Sequence, residues 1–457
     1  MTEPTRSALL ADWIESLTIQ QIPDVARIAV ENTVIDTVAL TIAALDTDYG
    51  RAVRTAFDAR GACTVWGLKE TFDIAGAAVI NGTCGHGEDY DNTFEGCPVH
   101  TGVVIVPALF AAGEALKLTN ADVAKGLVVG IEVANRLGMV AGKGVHAAGF
   151  HPTAILGTMG AAAGVAAAMG QTRKQIQDTL GVAGSMAAGI IEYLADGSWT
   201  KRMHAGWAAQ SGIRAAQMGA ASFNGPKTVI EGTHGLFTAF APSITPDFSH
   251  LTAGLGETWQ AANVAFKPYA CGTMTQPFID CAVRLKEKGL NPEDIVNITC
   301  EVGEGTVHRL WEPLALKQKP PTAYAAKFSS PYTIAAGLLH GDAGLAEFTE
   351  EAVSNAQALA IAAKVIYVID PDNEYPRNYT GHIRAELKDG STIEERQPQL
   401  RGGTKEPMTR TNILTKANAN LTFSGRPAVA GLLEEFAMEL FTDDTPFDAR
   451  PLASLGV

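Results

Sequence analysis

Residues 151–170 read HPTAILGTMGAAAGVAAAMG, twenty positions without one Asp, Glu, Lys or Arg. Alanine is the strongest helix former and is depleted in strands, so this run predicts a helix. Its side chains are too small to cover a core from a distance. A membrane span is the obvious alternative for so apolar a segment, but alanine and glycine contribute little to insertion and no Lys/Arg bias flanks the run. The remaining solution is a buried helix, with Gly160-xxx-Gly164 letting neighbouring helices approach closely. A chain that contains such a helix must surround it with others.

The rest of the chain supplies them. From about Ala8 to Phe240 the pattern is mostly helix after helix; Ile28, Ile35, Val38, Ile42 and Leu45 fall on one face at helical spacing. After Lys267 the texture changes. NITCEVGEG at 297–305 alternates like a strand, as do residues 364–369 and 383–387, the latter running into the turn Asp389-Gly390. Helical pieces intervene at 277–288 and 332–339, and helical patterns resume at 408–421 and 428–440. The expected architecture is mainly α: a large all-helical domain built from both chain ends (residues 1–266 and 405–457) and a smaller inserted α+β domain (residues 267–404). The 457 residues are ample for two such units.

Charge and cysteine content narrow the function. A formal net charge of −14 argues against nucleic acid as a partner, because phosphate neutralisation needs a basic footprint. An anionic small molecule remains possible if cations gather in one pocket. The six cysteines are scattered with no CxxC pair, which suits neither a zinc site nor a disulfide framework. The N-terminal stretch is amphipathic rather than continuously apolar, so no signal peptide is expected and a cytoplasmic location is the default. There is no G-x-S-x-G elbow, phosphate loop, G-x-G-x-x-G turn or HExxH pair.

Five segments carry titratable side chains in suggestive settings. Residues 85–102 hold four carboxylates (Glu88, Asp89, Asp91, Glu95) with His86 and His100. A lone Asp-x-Asp is ordinarily a solvated, capped loop, but two histidines beside it can do proton transfer near neutrality, with a carboxylate fixing the tautomer. The calcium-loop pattern fails, since Phe94 and His100 occupy the positions that need glycine and glutamate. Phe150-His151-Pro152-Thr153 sets His151 at a helix start, where backbone N–H groups and the dipole favour an anion; a packed histidine is the bland alternative. Residues 197–206 (GSWTKRMHAG) put Lys201 and His204 three apart, on one helical face, with Arg202 adjacent. Phe266-Lys267-Pro268-Tyr269 marks the change of texture, and taken by itself reads first as a plain interdomain turn. Ser330-Pro331-Tyr332 offers a phenol able to donate a proton, although a core tyrosine is the commoner fate.

Taken together and in this order, these segments resemble the MmgE/PrpD family, which includes 2-methylcitrate dehydratases, cis-aconitate decarboxylases and an iminodisuccinate epimerase. The matching set is Asn81-Gly82 with His86, Asp89 to Thr93 and His100; then Phe150 to Thr153; then Gly197 to Gly206; then Phe266 to Tyr269; then Ser330-Pro331-Tyr332. The resemblance implies a homodimer in which the inserted domain serves as a lid, with no metal or organic cofactor. It also implies a site made of Asp89, Thr93, His100, His151, Lys201 and Tyr332, to which His204 is added from the same motif.

The residue types suit proton movement next to a carboxylate on a small di- or tricarboxylic acid. In the expected roles, Lys201 stabilises developing charge, His100 or His151 moves the proton with Asp89 orienting it, and Tyr332 protonates the leaving hydroxyl or the carbanion. Thr93, Arg202, His204 and Lys267 are expected to bind substrate. The decarboxylases of the family carry a histidine shortly after the Lys-Pro-Tyr segment, where this chain has Gly272 or Gln276. That difference directs the expectation to a hydro-lyase of the 2-methylcitrate dehydratase type, with decarboxylation and epimerisation as alternatives. A non-catalytic carboxylate-binding protein is the remaining reading.

Overall fold

A computed structural model describes residues 3–442 and 444–455. Helix accounts for 57% of the chain and strand for 10%, so the protein is mainly helical. The chain divides into two compact units. One comprises Met1–Gly87, Asp91–Ala265 and Arg410–Val457; the other comprises Glu88–Tyr90 and Phe266–Thr409.

The alanine-rich segment is a helix, Pro152–Ala168, and every one of its residues is buried. It packs on the helix Asn120–Ala141 through glycine. A Cβ on Gly160 would come within 2.6 Å of the Gly130 carbonyl oxygen, and one on Gly164 within 2.5 Å of that of Gly126. Around this pair lie Asp24–Ala44, Ile74–His86, Gly102–Leu116 and Thr200–Ala220. Among the described residues no single helix is long and apolar enough to cross a membrane.

The first unit is not all-helical. Two short antiparallel ladders interrupt it, Cys63–Thr64 with Thr71–Phe72 and Thr93–Phe94 with Val264–Ala265. Two-residue strands leave no periodic signal, which is why the sequence conceals them. The returning segment contributes the helices Arg410–Phe423 and Ala430–Thr442. Lys416 forms a buried ion pair with Asp36 on the central helix, 2.7 Å long.

The second unit is built on a four-stranded sheet in the order Val365–Ile369, Ile295–Val302, Gly381–Leu387, Thr392–Gln397. The first two run parallel and the remaining pairs antiparallel. Helices Gln276–Glu287 and Ser330–His340 join the strands in a core that includes Phe278, Leu285, Ile298, Trp311, Ile334 and Ile383. Strand Thr392–Gln397 (TIEERQ) lies at the sheet edge. Its mostly polar sequence hid it, as suits an edge protected by charge.

Candidate active site

The site in the first unit is assembled by close helix crossing. Helices Ile74–His86 and Thr200–Ala220 meet where a Cβ on Gly82 would lie 2.6 Å from the Gly206 Cα. Only glycine allows that approach. The first helix therefore ends, at His86, beside the beginning of the second, which carries Lys201 and His204.

Beyond His86 the chain turns into the short strand Thr93–Phe94, and there Asp91 becomes the organising carboxylate. It is fully buried, and its Oδ2 lies 2.9 Å from His86 Nδ1 and 3.0 Å from His100 Nδ1. His100 Nδ1 is also 3.0 Å from the Asn92 carbonyl oxygen, which can only accept. Nδ1 of His100 therefore carries the proton and Nε2 keeps its lone pair, by assignment from the hydrogen bonds. Burial alone would raise the Asp91 carboxyl, but the imidazoles of His100 and His86 hold it well below the usual range. His86 Nε2 and Asp91 Oδ1 have no hydrogen-bond partner among the described residues. From the sequence, His86 and Asp91 stand in the matching motif without an assigned role. Five and nine residues separate Asp91 from its two imidazoles, spacings that no helix or strand period brings together.

His151 is the N-cap residue of the alanine-rich helix, as the His-Pro pair predicts. Its backbone N–H donates to the Gly189 carbonyl, and its Nδ1 lies 3.3 Å from His204 Nδ1. The His151 ring stacks against His86 with centroids 5.5 Å apart. Tyr193, which no sequence motif marked, packs edge-on at 6.0 Å from His151 and 5.9 Å from His204. Burial lowers the pKa of His86 and of His204 to about 4, and drives that of His151 well below its ordinary value. The positive charge of Lys201 adds to the shift at all three imidazoles. They are neutral at pH 7.

Lys201 and Arg202 occupy the first turn of the helix Thr200–Ala220, whose N-cap, Trp199, makes no side-chain capping bond. Cations are disfavoured at a helix N-terminus by the dipole, so this arrangement invites an anion. The Arg202 guanidinium lies over the Tyr49 ring, 4.2 Å from its centre. Thr93 is held in its ladder against Ala265, its hydroxyl directed to the Val99 carbonyl oxygen at 3.4 Å.

Three of the expected residues belong to the second unit. Asp89 adopts a left-handed backbone (φ 56°), and its carboxylate pairs with the buried Lys267 ammonium at 2.8 Å. Lys267 also donates to the Asp89 carbonyl oxygen at 2.7 Å. The carboxylate bonded to the histidines is thus Asp91, while the Oδ1 of Asp89 meets a lysine. Tyr332 is buried, and its hydroxyl donates to the Glu347 carbonyl oxygen at 2.6 Å. Burial pushes its pKa above the ordinary phenol value, so it keeps its proton. Gln276 is buried with its amide nitrogen donating to the Tyr269 and Cys271 carbonyls.

The ligand atoms of His86, Asp91 and His100 lie within 4.8 Å of one another, close enough to consider a cation. The hydrogen bonds occupy His100 Nδ1 with a proton directed at Asp91 and Asn92, so that nitrogen does not ligate a cation in this tautomer. All six cysteines are free and buried; burial drives the pKa of Cys63, Cys84, Cys97, Cys271 and Cys281 to about 12 and that of Cys300 well above its ordinary value. None is a thiolate nucleophile near neutrality.

The chain is 24% identical over 476 residues to the cis-aconitate decarboxylase of Aspergillus terreus (strain NIH 2624 / FGSC A1156), covering 98% of this chain and 95% of that protein. It is 29% identical over 374 residues to the human cis-aconitate decarboxylase, covering 78% and 75% of the two chains. The cis-aconitate decarboxylase-like protein oryM of Aspergillus oryzae is 25% identical over 413 residues, with 85% of each chain covered. Residues 8–249 match the MmgE/PrpD N-terminal domain and residues 269–432 the MmgE/PrpD C-terminal domain. With that, the chain belongs to the MmgE/PrpD family, whose members act on carboxylic acids.

Proposed function

We propose that the protein is a decarboxylase of a cis-aconitate-like acid, not the hydro-lyase to which the sequence first pointed. The observation that carries the reading is the His151–His204 contact, at which two long helices begin beside Lys201. Two positive helix ends and an ammonium form a site for carboxylates, and neutral imidazoles provide the proton. The relatives named as decarboxylases favour C–C cleavage over loss of water.

In this mechanism substrate carboxylates bind at the helix starts and at Lys201. The bond from carbon to one carboxylate breaks, CO₂ leaves, and the electron pair passes toward a neighbouring carboxylate. Lys201 stabilises that charge as it develops. His151 gives its proton to carbon and regains one from water; the Asp91-held His100, with its proton on Nδ1, can take up a proton at Nε2 and pass it on, Asp91 stabilising the imidazolium that forms. Tyr332, which keeps its proton, is proposed as a further donor, and Asp89, Thr93, Arg202 and Lys267 as supporting residues of substrate binding.

Dehydration is the second reading, and Gln276 favours it. An amide already bonded to two carbonyls cannot act as the acid or base that the family's decarboxylases place nearby. Assaying CO₂ against water loss on cis-aconitate, citrate and 2-methylcitrate separates the two. Full activity in Lys201→Ala or His151→Ala on the acid that turns over contradicts the site assignment.

A further inference from the structure

His86 takes no part in the proton steps above, yet its ring lies between those that do. It is buried and stacks on His151, with centroids 5.5 Å apart and planes at 19°. It also meets the His100 ring, with centroids 4.9 Å apart. Asp91, ionised at neutral pH, can only accept, so His86 Nδ1 at 2.9 Å from its Oδ2 carries a proton. His100 Nδ1 lies 3.0 Å from that same oxygen. Asp91 Oδ1 and His86 Nε2 are buried and have no hydrogen-bond partner among the described residues. Two imidazoles therefore draw on one carboxylate oxygen while the second oxygen serves neither.

Sharing has a chemical consequence. An oxygen that accepts two N–H groups presents less negative charge to each of them. When His100 takes a proton at Nε2, Asp91 stabilises the imidazolium less than it would with His100 as its sole donor. His100 then releases the proton more readily. The titratable groups around His86 are Asp91 and His100 from the segment that follows it, His151 at the start of the alanine-rich helix, and Lys201. His86 does not compete for the proton, because burial lowers its pKa to about 4 and the Lys201 charge adds to that effect. We propose that His86 is a positioning residue, whose N–H takes part of the Asp91 oxygen and so keeps the His100 proton transferable. The inference rests on the proton-passing role proposed for His100, and it adds the group that tunes it.

The test reads the ring nitrogens directly and needs no turnover. The full-length protein labelled with ¹⁵N-histidine is titrated by NMR, with His100 assigned by its loss in His100→Gln. His86→Phe keeps a flat ring against His151 but removes the N–H, and the proton affinity of His100 is expected to rise about tenfold. His86→Asn, whose amide donates from the place of Nδ1, is expected to restore the wild-type affinity. Thermal melting curves check that both variants fold. Wild-type spectra give a test that depends on neither: His86 and His100 must both carry their proton on Nδ1 at pH 7. A His86 bare at Nδ1, or one that takes up a second proton together with His100, overturns the proposal. So does a His100 titration that is unmoved in His86→Phe, or moved equally in His86→Phe and His86→Asn. Those results leave decarboxylation standing, because no acid is present. Failure to release CO₂, measured separately, counts against decarboxylation alone.

Discussion

His151 Nδ1 and His204 Nδ1 face each other at 3.3 Å, so only one of the two carries a proton on that side. The tautomer of each ring is therefore set by the other, and the pair acts as one unit. His151→Asn is expected to lower kcat by about 10²–10⁴, the usual contribution of a general acid or base. His204→Asn lowers it less. The double variant is expected to be no slower than His151→Asn, as for groups that work together. Steady-state kinetics of the three variants check this; multiplicative losses contradict the coupling.

Asp91 holds two imidazoles through one oxygen, at 2.9 and 3.0 Å. Asp91→Asn keeps the shape but cannot stabilise an imidazolium, and it can reverse the tautomer of His100. The expected outcome is a fall in kcat of about 10²–10⁴ with KM changed much less, since the carboxylate does not hold substrate. A large rise in KM at constant kcat would assign Asp91 to binding instead.

Protonation of the buried imidazoles ties stability to pH. An unfolded histidine titrates near 6.5, whereas folded His204 and His86 titrate at about 4 and His151 well below its ordinary value. Between these values the unfolded chain binds protons that the folded chain refuses. Stability is therefore full above pH ~6.5 and declines as pH falls toward 4. Several buried carboxyls, Asp36 and Glu132 among them, are shifted upward and act in the opposite direction. The clean reading is thus a difference: His204→Gln should remove as much as ~1.4 kcal/mol per pH unit of slope across that window. Urea titrations of both proteins from pH 7.5 down to pH 4.5 measure it, and parallel curves contradict the assignment.

The ion pair between Lys416 and Asp36 joins the returning C-terminal helix to the central helix, with both side chains almost fully buried. Lys416→Met leaves a buried carboxylate uncompensated and should cost about 3–5 kcal/mol. Adding Asp36→Asn should recover much of the loss. Chemical denaturation of the single and double variants decides whether this pair couples the two chain ends.

Some of this organisation is legible in the sequence and some is not, for physical reasons. The buried helix Pro152–Ala168 is visible because small uncharged residues at such density admit few other structures. His151 before Pro152 announces a helix start, and Lys201 with His204 announces a shared face, because both signals are local. The His86–Asp91–His100 arrangement is hidden, since it depends on the turn after His86 and on Thr93–Phe94 pairing with Val264–Ala265, far along the chain. Tyr193 is hidden for the same reason, because its approach to His151 is made through tertiary packing. The partners of Asp89 and Tyr332 illustrate a further limit: residue type suggests capacity for chemistry, but Lys267 and the Glu347 carbonyl oxygen show where that capacity is directed in the folded chain.

The most direct test of the central claim is proton NMR of the protein with cis-aconitate in D₂O, with released CO₂ measured in parallel. Decarboxylation predicts one CO₂ per acid consumed and a product bearing one solvent-derived deuterium at the protonated carbon. Both should disappear in His151→Asn. Hydration of cis-aconitate without CO₂, or dehydration of citrate or 2-methylcitrate while cis-aconitate is left intact, would contradict decarboxylation and return the protein to the hydro-lyases.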